Sequence, residues 1–481
     1  MLYWPIFGII CVWLYWLWSR RRYYYLMFKL PGPIGYPLIG EALNLIGKID
    51  PLYVINSYNE KFGPIMYSWL LHYPFLLITD LDAVRDVLTS PHCIKRSVLY
   101  KPFKKGIGEG LFTLEDPEWS VHRKNLNPAF SHKILLSFLP IFNQEINKLV
   151  KTFDKMDECP NVITTLQNFT MKITLRTTMG IEESKGRDST LHKNYQCLIK
   201  NGAQMAFSPW LANDMVRRLF GIFEPFNSCV TENQEIIREV IRNKLSRDSH
   251  NGSENVFIDQ AIEVLEKHIF TMQNVEDELN HIVLGAFETT ANAIGYVLIL
   301  LAMFPEYQER VYEELLSIFP AGEDFEVTNA NIQDMTYMDM VINESMRILT
   351  PIPAVGRQNT QDLRLSNGIV IPPGVQLNIN IFAIHRRKDI WGPDADIFNP
   401  DNFLPSNMEN KHPYAFIPFT KGLRTCIGYK YGLMSVKVAL AKLLMNFKFS
   451  TEFKYSDLEF CNSIVLSLKH MPVLKITKRH A

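Results

Sequence analysis

Phe419-Thr420-Lys421-Gly422-Leu423-Arg424-Thr425-Cys426-Ile427-Gly428 is the stretch on which the reading of this chain turns. Downstream of it, apolar residues recur at Leu433, Val436, Leu440, Leu443, Leu444 and Phe447, a spacing that predicts a helix. A cysteine just ahead of a helix faces unpaired backbone N–H groups and the positive end of the dipole, which lower a thiol pKa and favour the thiolate that iron needs. Gly422 permits a tight turn, and Gly428 lets a flat macrocycle approach the backbone. Arg424 can reach a carboxylate on such a cofactor. Taken alone, Cys426 reads better as a buried structural thiol; the whole string is what reverses this and favours a haem ligand.

The string matches Phe-x-x-Gly-x-Arg-x-Cys-x-Gly and resembles the haem-binding signature of the cytochrome P450 family. The chain as a whole resembles a microsomal member, in the animal branch that includes fatty-acid ω-hydroxylases. The resemblance implies the cytochrome P450 fold, mainly α with a small β-sheet region, in a single large haem-containing globule. It implies Cys426 as the axial and only metal ligand, with an electron-rich thiolate that promotes O–O cleavage. Phe419, Arg424 and Gly428 then belong to the same cofactor site.

Glu344-Ser345-Met346-Arg347 puts an acid and a base on one helical face, where they can pair. Read by itself that is a solvated surface ion pair of little value. The family resemblance implies instead a buried pair that locks the haem-side core. Its usual third member is basic, in a Pro-Glu-Arg-Phe segment; here Pro400-Asp401-Asn402-Phe403 supplies Asn402, which keeps hydrogen bonding and loses the charge.

Gly285-Ala286-Phe287-Glu288-Thr289-Thr290 places an acid beside a hydroxyl in an apolar helix, where each needs a partner. The plain reading is that Thr289 bonds back to a helix carbonyl and Glu288 caps a local kink. The string also resembles the family's oxygen-activation motif, in which Glu288 as the acid and Thr289 as the alcohol would relay protons to dioxygen. Gly285 stands where one branch carries a glutamate that esterifies the haem, so haem b is expected to be non-covalent apart from Cys426. Arg123 and Arg357 resemble haem-propionate partners, with Trp119 four residues before Arg123 on the same helical face and in the same cofactor site; either arginine is also compatible with an ordinary surface position beside an aromatic.

The 481 residues show no repeat and no long Gly/Ser linker. Fifty basic and fifty acidic residues cancel, so no global field points to nucleic acid. Seven scattered cysteines with no CxxC pair fit neither a disulfide framework nor a structural zinc site and suit a reducing compartment. The sequons Asn168-Phe-Thr and Asn251-Gly-Ser are short enough to arise by chance.

The first eighteen residues are uncharged and precede Ser19-Arg20-Arg21-Arg22. Residues 1–22 are therefore read as an N-terminal membrane anchor with its basic flank, leaving the rest cytosolic at the endoplasmic reticulum. Residues 23–40, aromatic and then rich in Pro and Gly, are read as a hinge, and 41–481 as the catalytic domain. Paired strands are predicted near residues 63–71 and 75–79, a helix at 81–88, and mostly helix over 120–349. The apolar run Ala293–Phe304 is too short to span a bilayer and is read as a buried central helix ending before Pro305.

The resemblance places substrate walls at Lys101–Leu114, Ala203–Phe223, Ala286, Ile352–Val355 and Ser463–Leu468. Phe207, Trp210, Leu211, Phe220, Ile352, Val355 and Ile464 favour a lipophilic ligand, with core or membrane contact as the alternative. No dinucleotide fingerprint is present. Electrons are thus expected from NADPH through a separate cytochrome P450 reductase, with cytochrome b5 as a second partner. Lys421, Lys430, Lys437, Lys124 and Lys133 can be read as a docking face for an acidic partner or, equally, as scattered solubilising lysines. The expected activity is a monooxygenase acting on a fatty acid, hormone or xenobiotic. Its rivals are a peroxide-rearranging isomerase or dehydratase, a haem module without turnover, and a haem-free structural protein.

Overall fold

The computed structural model of the chain describes residues 3–36, 39–45, 51–181, 186–246, 256–320, 325–462 and 464–479. The sequon at Asn251 lies outside them, as do Pro37 and Leu38 of the expected hinge and Ser463 of one expected substrate wall. The side chain of Phe207 is likewise outside what is described. The chain divides into two compact units, each built around its own core.

The first unit comprises Met1–Leu99, Ala354–Ile384 and Lys421–Arg424. Its sheet is made of β1 (Ile65–Leu70), β2 (Tyr73–Ile78), β3 (Ala354–Gln358) and β4 (Gln376–Asn380), in the order β1-β2-β4-β3. β1 and β2 form the expected antiparallel pair, with Ile65 opposite Ile78 and Leu70 opposite Tyr73. Both are buried almost without alternation, which explains their continuous apolar runs. Asp80 caps the helix Leu81–Thr89 by accepting from the Ala83 N–H.

At the N-terminus, Tyr3–Ser19 is a helix whose Trp4, Phe7, Val12, Trp13 and Trp18 are exposed. The aromatic run that follows is a second helix, Arg21–Lys29, whose residues pack on the first unit rather than forming loose chain. Arg22 pairs with Asp362 at 2.7 Å, and the Tyr23 hydroxyl donates to the Pro373 carbonyl at 2.8 Å. Extended backbone begins at Leu30 and the prolines that follow it, where helix can no longer continue. Gly32 is required there, because a Cβ would lie 1.9 Å from the Tyr67 carbonyl oxygen.

The second unit, Tyr100–Pro353, His385–Thr420 and Thr425–Ala481, is mostly helical, as expected. Its axis is the 32-residue helix Met272–Met303, started by a Thr271/Asn274 capping box and followed by Pro305 at the head of the next helix. By length and composition this helix resembles a membrane span, yet 78% of its most apolar window is buried. It is the core helix, covered by neighbours over most of its length and apolar on all sides in its C-terminal third, residues 293–302. Helices Val162–Met179, Thr336–Ile348 and Tyr429–Asn446 pack on it. Gly295 permits one close approach, since a Cβ there would meet Ile163 at 2.2 Å.

Candidate functional site

In the second unit the cysteine loop is shaped by backbone. Thr420 adopts a left-handed φ of 58°, and the Cys426 N–H donates to the Phe419 carbonyl at 3.0 Å. The helix begins at Tyr429 with Gly428 at its cap. Cys426 presents accessible surface although it is set deep among protein atoms. Burial pushes its thiol up, while the Gly428 backbone N–H and the Arg123 charge pull it down. Burial wins, which corrects the expectation that helix position alone leaves a depressed pKa. A thiolate here needs a further positive partner, such as a bound metal.

Trp119 and Arg123 lie on the helix Glu118–Leu126, as their spacing implied. Trp119 is buried, and Arg123 Nη1 donates to the Thr425 carbonyl at 3.0 Å, next to the ligand cysteine. The neighbouring His122 is part of a buried cluster with Glu278, Thr113 and His281. Sequence reading passed over it, because Glu276-Asp277-Glu278 resembles a solvated acidic face. Glu278 is in fact wholly buried, and the only available signal was its position in a helix destined for the core.

The central helix is buried along most of its length, but Leu284, Gly285, Ala286 and Thr289 keep accessible surface in its middle. The Thr289 hydroxyl donates to the Gly285 carbonyl at 2.7 Å, so the plain reading of that alcohol holds at the level of geometry. Its oxygen can still accept. Glu288 is buried, and desolvation pushes its carboxyl up to about 7.

Glu344 and Arg347 form the buried pair implied for them. Arg347 Nε and Nη2 donate to the two Glu344 oxygens at 2.6 and 2.7 Å, and neither side chain is exposed. Arg347 also donates to the carbonyls of His385, Ala395 and Ile397. The Asn399 N–H and the Asn402 side chain donate to Glu344 Oε1 at 2.8 and 3.1 Å. Asn402 thus fills the third place by hydrogen bonding, without a charge.

In the first unit, Gly422 has a φ of 77°, and a Cβ there would meet the Leu88 carbonyl oxygen at 2.0 Å. Arg424 is buried and its Nε donates to the Ile94 carbonyl at 3.1 Å. Arg357 is buried in β3, with Nη1 on the Gly356 carbonyl at 3.0 Å. Both arginines are therefore anchored to backbone, whatever further partner they take.

Lys437 does not belong to a docking face. It is buried, pairing with Asp339 and the Ile332 carbonyl at 2.7 and 2.8 Å, because it falls on the packed side of its helix. Lys124, Lys133 and Lys430 are exposed, and Lys421 is partly covered. Among the apolar residues assigned to substrate walls, Trp210 and Phe220 face outward, and Val355 is core within the sheet of the first unit.

The second unit suits a flat, iron-holding macrocycle. Cys426 is a soft donor with open surface, and a Cβ at Gly285 or Gly432 would meet nothing within 4 Å. At Gly428 it would meet only Phe130, at 3.8 Å. Among the described residues no group of three or more His, Cys, Asp or Glu side chains converges for a metal ion, so iron on Cys426 must bring other ligands with it.

The cytochrome P450 family model matches residues 30–474. Probable cytochrome P450 313a4 of Drosophila melanogaster is 48% identical over the full length of both chains. Probable cytochrome P450 313a3 of the same organism is 40% identical over 98% of each. Cytochrome P450 4c3, also from Drosophila melanogaster, is 28% identical over 96% of this chain and 91% of its own. A signature cysteine on a glycine-walled loop, a buried Glu-Arg lock and a match along nearly the whole chain agree: this chain belongs to the cytochrome P450 family of haem-thiolate monooxygenases, whose cofactor is haem b on a cysteine thiolate.

Proposed function

We propose that this chain is a membrane-anchored monooxygenase that inserts one atom of O₂ into a lipophilic small molecule, with Cys426 as the axial thiolate. The observation that carries it is Cys426 itself, which keeps open surface at the floor of a backbone-walled loop while Arg123 grips the carbonyl before it. Haem, when bound, supplies the site of O₂ reduction and oxygen transfer. The protein's own part begins with binding. By family resemblance we assign Trp119, Arg123, Arg357, Phe419, Arg424 and Gly428 to the cofactor.

Glu288 is the proton reservoir. A carboxyl held near 7 carries a proton about half the time in neutral solution and gives it up at small cost. Thr289 serves as the relaying alcohol by accepting at its oxygen and releasing its own hydrogen onward, which must first leave the Gly285 carbonyl it is donated to. Glu344, Arg347 and Asn402 hold the core that supports the cysteine loop.

Residues 1–22 supply the anchor. Tyr3–Ser19 exposes Trp4, Trp13 and Trp18 with Ile6, Ile9 and Val12, which suits lipid, and the arginines behind it suit the cytosolic side of the endoplasmic reticulum. Residues 23–40 connect anchor to globule. Electrons come from NADPH through a separate reductase, with cytochrome b5 as a second donor, and exposed Lys124, Lys133 and Lys430 favour an acidic partner. The substrate is a fatty acid, hormone or xenobiotic.

The test is the carbon-monoxide difference spectrum of the reduced protein in membranes, for wild type and Cys426→Ser. The expected result is a strongly red-shifted Soret band in wild type alone. Haem-loaded wild type without that band would overturn the assignment of Cys426.

A further inference from the structure

We propose that Glu278, which the proton chemistry does not use, is a positioning residue for the Cys426 thiolate and acts through His122 and Arg123. The inference rests on Cys426 holding the haem iron.

Glu278 sits in the central helix about three turns before Thr289, with no exposed surface. Its Oε1 lies 2.6 Å from His122 Nδ1, and its Oε2 accepts the Leu111 N–H at 3.2 Å. The His122 ring is buried, with its centroid 4.3 Å from that of Phe270, so it has little freedom to turn away. The next residue, Arg123, donates to the carbonyl of Thr425 at 3.0 Å. Consecutive residues of a helix point about 100° apart. The helix Glu118–Leu126 is thus pinned on one side to the central helix and on another to the backbone that carries Cys426. A rotation or slide of this helix that breaks the first link displaces the second.

The rest of the cluster leaves Glu278 no alternative position. The Glu109 N–H donates to Asp277 at 2.7 Å, and His281 lies 2.6 Å from the Asp277 carbonyl and 3.1 Å from the Thr113 hydroxyl. The loop presses directly on the helix. A Cβ at Gly110 would lie 2.6 Å from His281 and 3.0 Å from Glu278, and one at Gly108 would lie 2.1 Å from the Asp277 carboxylate. A buried carboxylate whose partners are all placed this closely has one geometry, and it hands that geometry to His122.

The experiment uses the full chain in membranes and reads haem content, the carbon-monoxide spectrum and the reduction potential. His122→Phe keeps a ring against Phe270 and removes the bond to Glu278. It is expected to retain haem while most of the red-shifted band gives way to the blue-shifted band of a neutral thiol. His122→Asn, whose side-chain amide N–H can stand where Nδ1–H stands, is expected to restore the red-shifted band. Haem-replete His122→Phe with the wild-type band and potential would sink the proposal, as would His122→Asn as defective as His122→Phe. Should His122→Phe fail to fold, Glu278→Gln decides. An isosteric amide with a weaker acceptor is expected to shift the potential and lose part of the band, and an unchanged spectrum and potential counts against the link. If wild type itself lacks the band, the assignment of Cys426 fails first and this inference falls with it.

Discussion

Two glutamates in the second unit, Glu344 and Glu288, are both buried in helices and both have their carboxyls pushed up by desolvation. They differ in what surrounds them. Glu344 has Arg347 across both oxygens and two further donors from Asn399 and Asn402, each pulling its carboxyl back down. Burial is the sole cause of the shift at Glu288, which stays near 7. A carboxylate saturated with donors is scaffold, because moving its proton would undo several bonds at once. A carboxyl shifted by burial alone is available for proton transfer.

The sharpest way to break this contrast is at Glu344. Glu344→Ala leaves Arg347 as an uncompensated buried charge and is expected to cost about 3–5 kcal/mol, with loss of haem incorporation, read by thermal unfolding and haem content. Unchanged stability would mean that the lock is decorative.

Glu288→Gln should do the opposite, sparing the fold and lowering substrate oxidation by about a hundredfold or more, as for loss of a general acid. The pH dependence carries a sign. Because folding raises this pKa from 4.5 to about 7, this group's contribution to stability is fully present below pH 4.5 and is lost as pH rises from there through about 7. Wild type is therefore expected to become less stable than Glu288→Gln above neutral pH, and below pH 4.5 the difference should vanish. Parallel pH–stability curves for the two proteins would remove burial as the cause.

The smallest effects belong to the lysines. Reversing Lys124, Lys133 or Lys430 to Glu is expected to raise the reductase concentration needed for half-maximal rate severalfold at low salt, fading as salt is added. Lys437→Ala should instead lower the melting temperature and leave reductase dependence alone, since its charge is spent on Asp339 inside the fold. Equal kinetic effects from Lys437 and the exposed lysines would contradict that division.

Much of this was legible in one dimension. The antiparallel pair β1 and β2, the central helix ending at Pro305 and the Glu344-Arg347 spacing are local patterns of apolar period, proline and residue separation, and the three-dimensional structure reproduces them. Lys437 is misread in sequence, and Glu278 is passed over, for a common reason. A charged residue on a helix looks the same in sequence whether its side of the helix meets water or another element.

Sequence by itself determined the chemistry on offer: one signature cysteine, a Glu-Thr step in an apolar helix, and family membership across nearly the whole chain. Only the tertiary structure decided which charges are buried, that Thr289 bonds back to Gly285, that Asn402 completes the lock, and that Glu278 reaches His122. The physical reason is that burial and hydrogen-bond partnership are properties of residues far apart in the chain. Glu278 and His122 are separated by 156 positions, and no local pattern encodes the fold that closes the distance between them to 2.6 Å.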